Sequence, residues 1–538
     1  MEQRRKAILV FVFFTLFYAL SNSFRPTVQM PDEEYVLLVT SNLVSQRPLY
    51  LPDAVPKYPG AADLGKNGKY YSAYQIGQSL VYAPFYFATK QILSWSEPYG
   101  SVKYGSEVEY DVWLERETRR YLYLCPTLFA ALSCAIFFLF ACGLGFAETT
   151  GLALTVFYGL GTMVWPYSKL LLTETTQNLL LLSAVYLLFN QRKEGALRPK
   201  AMALAGACFG LLLSIRVIFI VLLPVLAVYW FWKNRSERRL IAPILAFGLP
   251  AALLFVPQLI YDYVRFSNVF SLGYGGAGFT TPLYVGLFGF LFSPGKSFFL
   301  YSPVALLFFF GMRPFLKRAR AEALLFCAIG LIVPIKYAGW WVWSGDPCWG
   351  PRFLLVITPF LLLPAGEILE RVIQRESILK RAIVALLFAL SFTVQVLAVS
   401  VHYLYFLNYV RQAASFVPPS RLVASPLTAD GALPLRDRHL DTEFNPEYSP
   451  ILGQAWLVKT LLTHDPHPAL SAPWKGLGFT ALHDAVPLKV AWDIWVVELL
   501  REGLYWRNIK AILGAIALLM ILTIVGQELF RSVFVPRP

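Results

Sequence analysis

Three adjacent carboxylates, Asp32, Glu33 and Glu34, follow Met30-Pro31 just after the first apolar block of the chain. Carboxylates are costly beside hydrocarbon and need a reason to be there. One reason is a helix start: Pro31 suits the first helical position, and acids suit the positive end of the helix dipole. The other is chemical, a general base that takes the proton of an acceptor hydroxyl. Cationic groups stand far along the chain. Ser293-Pro294-Gly295-Lys296-Ser297 contains a Gly-Lys-Ser triplet, but a phosphate loop needs a glycine where Phe290 stands, and a strand before it. A lysine near a helix start can still pair with a lipid phosphate. Arg352 follows the loop 338–351, which carries four tryptophans within ten residues, Trp343 and Trp349 among them. Its guanidinium can grip a phosphate with two hydrogen bonds; it can equally snorkel, or form a salt bridge with Asp346 or another acid. Lys336 and His402 are weaker candidates of the same kind. Arg216 and Glu174 fall within or beside apolar blocks, where ionisable groups are functional or simply pair with each other.

Aromatic residues crowd the same regions. Gly68-Lys69-Tyr70-Tyr71-Ser72 is followed by Tyr74, Gln75, Gln78 and an aromatic run to Phe87. Tyr and Trp at a membrane interface commonly act as anchors. Rings beside amides and hydroxyls also suit a sugar, on which ring faces stack and amides hydrogen-bond. Late in the chain, His464-Asp465-Pro466-His467 has a weak metal-like spacing that solvated loop histidines explain as well. The six cysteines include no Cys-x-x-Cys, so neither a zinc site nor a disulfide framework is indicated.

The elements that must hold these residues are membrane helices. Of 538 residues, 57% are hydrophobic and only 15% charged. The apolar residues fall in blocks of about 15–25, the length that crosses roughly 30 Å of hydrocarbon. Backbone groups left unpaired in lipid are prohibitive, and barrel strands are shorter and alternate, so the blocks are helices. Twelve spans are expected, at 7–24, 120–143, 150–167, 172–190, 201–216, 217–232, 240–261, 298–311, 322–337, 352–369, 381–402 and 509–530. Arg4-Arg5-Lys6 before the first block resembles a signal peptide, but no small-residue cleavage site follows, so that block is expected to be retained.

The net charge of +14 points to basic loops rather than to nucleic acid. Of 47 basic residues, 21 lie at the two termini and in alternate short loops, all on one side. By the positive-inside rule that side is cytoplasmic, with both termini inside, and the expected location is the cell membrane. The outer side then receives a long first loop (25–119), the segments 262–297 and 338–351, and a large segment at 403–508. Within the first loop, 36–44 reads as an interfacial helix, and 80–93 as an interfacial helix or a partly re-entrant segment. The domains expected are a membrane module over 1–402, the outer segment 403–508, and a last helix with its tail over 509–538. Chemistry confined to the outer face excludes most enzymes that draw on ATP or soluble nucleotide sugars. No internal repeat is visible, which counts against many two-halved transporters.

Asp32-Glu33 directly after the first helix, in a long outer loop with interfacial segments, resembles the polyprenyl-phosphate-sugar-dependent glycosyltransferases of the GT-C superfamily. That group includes the protein O-mannosyltransferases and the lipid A aminoarabinose transferase. Gly68-Lys69-Tyr70-Tyr71-Ser72, Ser293-Pro294-Gly295-Lys296 and Trp349-Gly350-Pro351-Arg352-Phe353 are similar to stretches of a broad bacterial branch, and the resemblance covers roughly 1–400. It implies an all-α, GT-C-like fold and an inverting transfer of sugar from a polyprenyl phosphate to an acceptor hydroxyl on a glycan, lipid or protein. In that scheme Asp32, with Glu33 second, is the base; Arg352, Lys296 and Lys69 meet the donor phosphate; and Tyr70, Tyr71, Tyr74, Gln78, Trp343 and Trp349 line the substrate. The scheme needs no nucleotide and not necessarily a metal, while some relatives bind a divalent ion. Glu34 and the long segment before the last helix depart from the better-known members. Two rivals remain: a ligase of lipid-linked polysaccharide, and a transporter of lipid or solute.

Overall fold

The computed structural model describes residues 2–24, 30–53, 61–99, 106–193, 196–235, 240–271, 273, 278–345, 348–374, 377–407, 443–444, 446, 449–463, 492–497 and 509–534. Among these the chain is almost wholly helical. Two small antiparallel hairpins interrupt it, β1 (Ala62–Leu64) with β2 (Tyr70–Ser72) and β3 (Arg192–Lys193) with β4 (Ala196–Leu197). The helices of the first half are α1 (Glu2–Ser21), α2 (Pro31–Val44), α3 (Gly77–Ser96), α4 (Glu107–Leu122), α5 (Leu124–Gly143), α6 (Glu148–Leu160), α7 (Val164–Tyr167) and α8 (Glu174–Phe189). The second half adds α9 (Pro199–Ile215), α10 (Leu223–Lys233), α11 (Ile241–Phe266), α12 (Leu283–Phe292), α13 (Phe298–Tyr301), α14 (Leu307–Arg318) and α15 (Arg320–Ala338). There follow α16 (Thr358–Leu362), α17 (Gly366–Gln374), α18 (Ile378–Ser400) and two helices at Pro450–Thr463 and Ile509–Phe534.

This is an all-α membrane protein. Among the described residues, six helices are long and apolar enough to cross a bilayer: Glu107–Gly143, Ile241–Phe266, Arg320–Ala338, Arg352–Gln374, Ile378–Ser400 and Gly514–Val533. Several expected spans are instead composite. The stretch 150–167 breaks at Gly161 into α6 and α7, and 298–311 becomes a short helix, a 3-10 turn at Pro303–Leu306 and then α14. Proline has no N–H to continue the ladder, and glycine adds backbone entropy, so such segments bend or stop. The run Arg352–Gln374 alternates 3-10 and α turns and is almost wholly buried, forming the central pillar.

In the first outer loop, α2 begins with Pro31 in its first turn and Asp32, Glu33 and Glu34 beside it, as the dipole favours. It is more than a surface helix, because Tyr35, Val36, Leu37 and Val39 are buried beneath α3. Helix α3 runs through Pro84 and leaves Phe87, Ile92 and Trp95 exposed, an apolar face suited to the bilayer interface. Helix α4 starts at Ser106, whose hydroxyl accepts from the Glu109 amide, and ends in Arg119 and Arg120.

Ion pairs fix which ends of the helices lie together. Arg5 near the start of α1 pairs with Glu528 near the end of the last helix at 2.8 Å. Lys6 pairs with Glu148, and Arg318 with Glu367 and Glu370. The basic loops therefore gather at one end of the bundle. At the other end of α1, Asn22 donates to the Tyr123 carbonyl and to Thr127. The 20 residues of α1, at 1.5 Å each, separate the two ends by about 30 Å.

Helices α9 and α11 pack through Gly206 and Gly210, spaced as in close-packed membrane helix pairs. A Cβ on Gly210 would lie 2.2 Å from the Ala251 carbonyl oxygen, whereas one on Gly248 would meet nothing within 4 Å. Gly210→Leu is expected to cost at least about 1–3 kcal/mol by forcing the two backbones apart. Gly248→Ala should match or exceed wild type. Thermal unfolding of both variants in detergent reads the difference, and equal midpoints would refute this account of the packing.

Candidate active site

The first turn of α2 points its acids at three different elements. Asp32 is 3% exposed and its Oδ2 accepts from Arg352 Nη1 at 2.6 Å. Glu33 is equally buried, and its Oε1 accepts from the Leu171 amide at 3.0 Å. Glu34 pairs with Arg119 at 3.1 Å. Arg119 also holds Glu115, whose other oxygen accepts from the Tyr86 hydroxyl. Burial, and then the charge of Glu115, push the Tyr86 hydroxyl above the ordinary tyrosine pKa, so it stays a donor. Glu34 thus belongs to a network that ties α2 to α4, while Asp32 and Glu33 face inward.

Arg352 opens the central pillar, and Glu174 opens α8. Glu174 is fully buried with Oε1 3.7 Å from Arg352 Nε. One guanidinium therefore sits between two carboxylates contributed by α2 and α8. Among the described residues, Asp32 Oδ1 and both Glu174 oxygens accept no hydrogen bond. Buried acceptors left this way are costly and call for an explanation.

A second arginine stands close by. Helix α9 breaks at Arg216, which adopts an extended backbone. Its guanidinium lies 5.7 Å from the Tyr74 ring and 6.0 Å from the Phe353 ring, and that of Arg352 lies 5.0 Å from the same Phe353 ring. Tyr74 in turn is 6.3 Å from Tyr35 of α2. Gln78 donates to Thr176 in the first turn of α8 at 3.0 Å. Asp32, Glu33, Glu174, Arg352, Arg216, Tyr74 and Gln78 thus form one linked neighbourhood at the end of the bundle away from the basic loops.

The other residues singled out from sequence lie elsewhere. Lys296 is buried, and its Nζ donates to the carbonyls of Cys348 at 2.9 Å and Gly350 at 3.3 Å, so it shapes the tryptophan loop. Lys69 is exposed on the β1–β2 hairpin, 5.6 Å from the Tyr50 ring. Tyr70 is exposed there too, while Tyr71 is buried against Tyr50 and Phe266. Trp343 packs on Phe290 and Phe444, and Trp349 on Tyr301 and Tyr403; both are core residues. Lys336 lies over Phe279, and His402 Nδ1 accepts from the Leu404 amide. Asp346, His464 and His467 lie outside the described residues. Among the described residues, no group of three or more His, Cys, Asp or Glu could hold a metal ion, and the cation between Asp32 and Glu174 is an arginine. These side chains do not fit the divalent ion that some GT-C proteins bind.

One clamp was not singled out from sequence. Arg265, fully buried, donates to the carbonyls of Ser72 and Tyr74 and pairs with Asp262. Gln258 donates to Asp262 and accepts from the Ile76 amide. This fixes the hairpin, and so Tyr74, onto α11. The signal was Gln258, Asp262 and Arg265 at helical spacing in an apolar segment.

Among solved structures, the chain is similar to ArnT from Cupriavidus metallidurans bound to undecaprenyl phosphate, with TM-score 0.45 and 14% identity over 83% of this chain and 75% of that one. It is similar to the same protein in the apo state, with TM-score 0.46 and 13% identity over the same shares. No protein-family model and no curated protein matches the sequence.

Removing one partner of a buried ion pair strands the other charge, at about 3–5 kcal/mol. Arg352→Met alone should therefore unfold at a markedly lower temperature than wild type. Adding Asp32→Asn should recover part of the loss, with a coupling of at least about 1 kcal/mol. Strictly additive losses in thermal unfolding would show that the two side chains do not depend on each other.

Proposed function

We propose that the chain transfers a sugar from a polyprenyl-phosphate donor to an acceptor hydroxyl, with inversion, at the membrane face opposite its basic loops. The observation that carries this reading is Asp32, buried, with Oδ2 on Arg352 and Oδ1 accepting nothing among the described residues. Arg352 holds one carboxylate oxygen in place, and Oδ1 remains to receive a proton. The acceptor oxygen attacks the anomeric carbon while its proton passes to Asp32. The bond from that carbon to the phosphate oxygen breaks, and polyprenyl phosphate leaves with the electron pair. A single displacement inverts the anomeric centre.

The leaving phosphate gathers negative charge, which cations already in place stabilise best. Arg216 and Arg352, both over Phe353, suit that role, and an arginine fork matches a phosphate. This replaces Lys296, whose ammonium is held by carbonyls, and Lys69, which is exposed on its hairpin. Tyr74 and Gln78 are the retained candidates for sugar contacts. Sidedness is supported by charge: the termini meet through Arg5 and Glu528 at the end where the basic loops gather, and such loops stay in the cytoplasm.

The test is single-turnover release of polyprenyl phosphate from a panel of polyprenyl-phosphate sugars. Wild type is expected to release it, and Asp32→Asn to lose about 10²–10⁴-fold in rate with donor binding retained. Arg216→Ala should weaken donor binding as well as rate. Unchanged release by Asp32→Asn removes that carboxylate from the role of base. Failure with every donor would favour the polysaccharide ligase or the transporter.

A further inference from the structure

A further buried ion pair lies one loop away from the acids. Lys169 sits in the short connection between α7 and α8 and is 5% exposed. Its Nζ is 2.6 Å from Asp493 Oδ2, and it also donates to the carbonyls of Asp493 at 2.6 Å and Val399 at 3.1 Å. Asp493 belongs to the large segment before the last helix and is 2% exposed. The backbone around it is stitched to the end of the bundle that holds the candidate site. Asp493 N donates to the Ser400 carbonyl at 2.8 Å, Trp492 bridges Val401, and Trp495 N donates to the Asn22 carbonyl at 2.9 Å. The Trp495 indole donates to the Ala19 carbonyl at 2.9 Å. Residues 492–497 thus span the ends of α1 and α18.

The connection that Lys169 anchors also orients the acids. Two residues after Lys169, the Leu171 amide donates to Glu33, and the Leu171 carbonyl accepts from Tyr82. Three residues further on, Glu174 opens α8 beside Arg352. Thr127 holds the Ser168 carbonyl, and Thr175 reaches back to that of Tyr167. A shift of this connection therefore moves the donor to Glu33 and the start of α8 together.

We propose that Asp493 and Lys169 are positioning residues: the segment before the last helix clamps the α7–α8 connection and thereby sets the orientation of Glu33 and Glu174. Buried ion pairs add little to net stability compared with apolar packing, and their geometric demand fixes one arrangement. The clamp acts through the backbone, without contact to the reacting atoms. Its catalytic consequence rests on the glycosyl-transfer reading above; its structural consequence does not.

The experiment compares wild type with Asp493→Asn, Lys169→Met and the conservative Asp493→Glu, each as full-length chain in lipid nanodiscs. Hydrogen exchange is followed in peptides covering 31–44, 164–176 and 492–497. The expected result is faster exchange in all three regions for Asp493→Asn and Lys169→Met, with partial restoration in Asp493→Glu. Single-turnover release should slow by roughly tenfold to a hundredfold, as for a small misplacement of reacting groups, with donor KM within a factor of about three. Faster exchange confined to 492–497, with protection at 164–176 unchanged, overturns the proposal. If wild type releases polyprenyl phosphate from no donor, the glycosyl-transfer reading fails, while the exchange data still decide the clamp. If Asp493→Asn misfolds, Asp493→Glu and Lys169→Met carry the same comparison.

Discussion

The constraint on which the site end of the molecule depends is the burial of the Arg352 guanidinium beside the Asp32 carboxylate. Neither charge can be desolvated alone, so the helix after the first outer crossing must meet the pillar that begins three hundred residues later. The backbone before Arg352 is shaped by that need. Gly345 has a positive φ of 78°, and a Cβ there would lie 2.8 Å from the Arg352 side chain. Gly350, at φ 62°, leaves no room for a Cβ between Tyr301 and Met163. Lys296 gathers the carbonyls between them. The tryptophan loop is therefore a mould for one arginine, with Trp343 and Trp349 filling the core behind it.

The same electrostatic logic separates the two ends of the bundle. At one end, exposed or half-exposed pairs such as Arg5 with Glu528 and Arg318 with Glu370 stand in a setting where water screens them, and they define loop contacts at small energetic weight. At the other end two buried pairs link elements distant in sequence, Asp32 with Arg352 and Lys169 with Asp493, and a third, Asp262 with Arg265, lies within α11. Breaking a buried pair strands a charge, so these contacts hold the elements where acids, arginines and the end of α9 converge.

What could be read from sequence follows from what local physics encodes. Apolar blocks and basic loops report membrane helices directly, and the acids after Pro31 announce the start of α2. That Asp32 and Arg352 need partners was visible because charge beside apolar blocks demands a reason. Their contact was not, since pairing across 320 positions is decided by packing. Aromatic density alone did not reveal packing: Trp343 and Trp349 are buried, on Phe290 with Phe444 and on Tyr301 with Tyr403. Lys296 illustrates the converse, a cation whose partners are backbone carbonyls and so leave no trace in composition. Composite spans were read as single helices because hydropathy does not register a helix that stops and resumes at a glycine or a proline.

On the proposed chemistry the two arginines resolve a conflict. The carboxylate proposed as base is held by a cation, yet the departing phosphate needs a cation at the same moment. A single guanidinium shared by both would weaken the base as it stabilised the leaving group. Arg352, set between Asp32 and Glu174, can tilt toward the phosphate while Glu174 moderates its charge. Arg216, near the Phe353 ring, offers a second cation on that reading. The extended backbone of Arg216, which ends α9, takes that residue out of the helical ladder, and on the proposed chemistry its guanidinium serves the leaving phosphate.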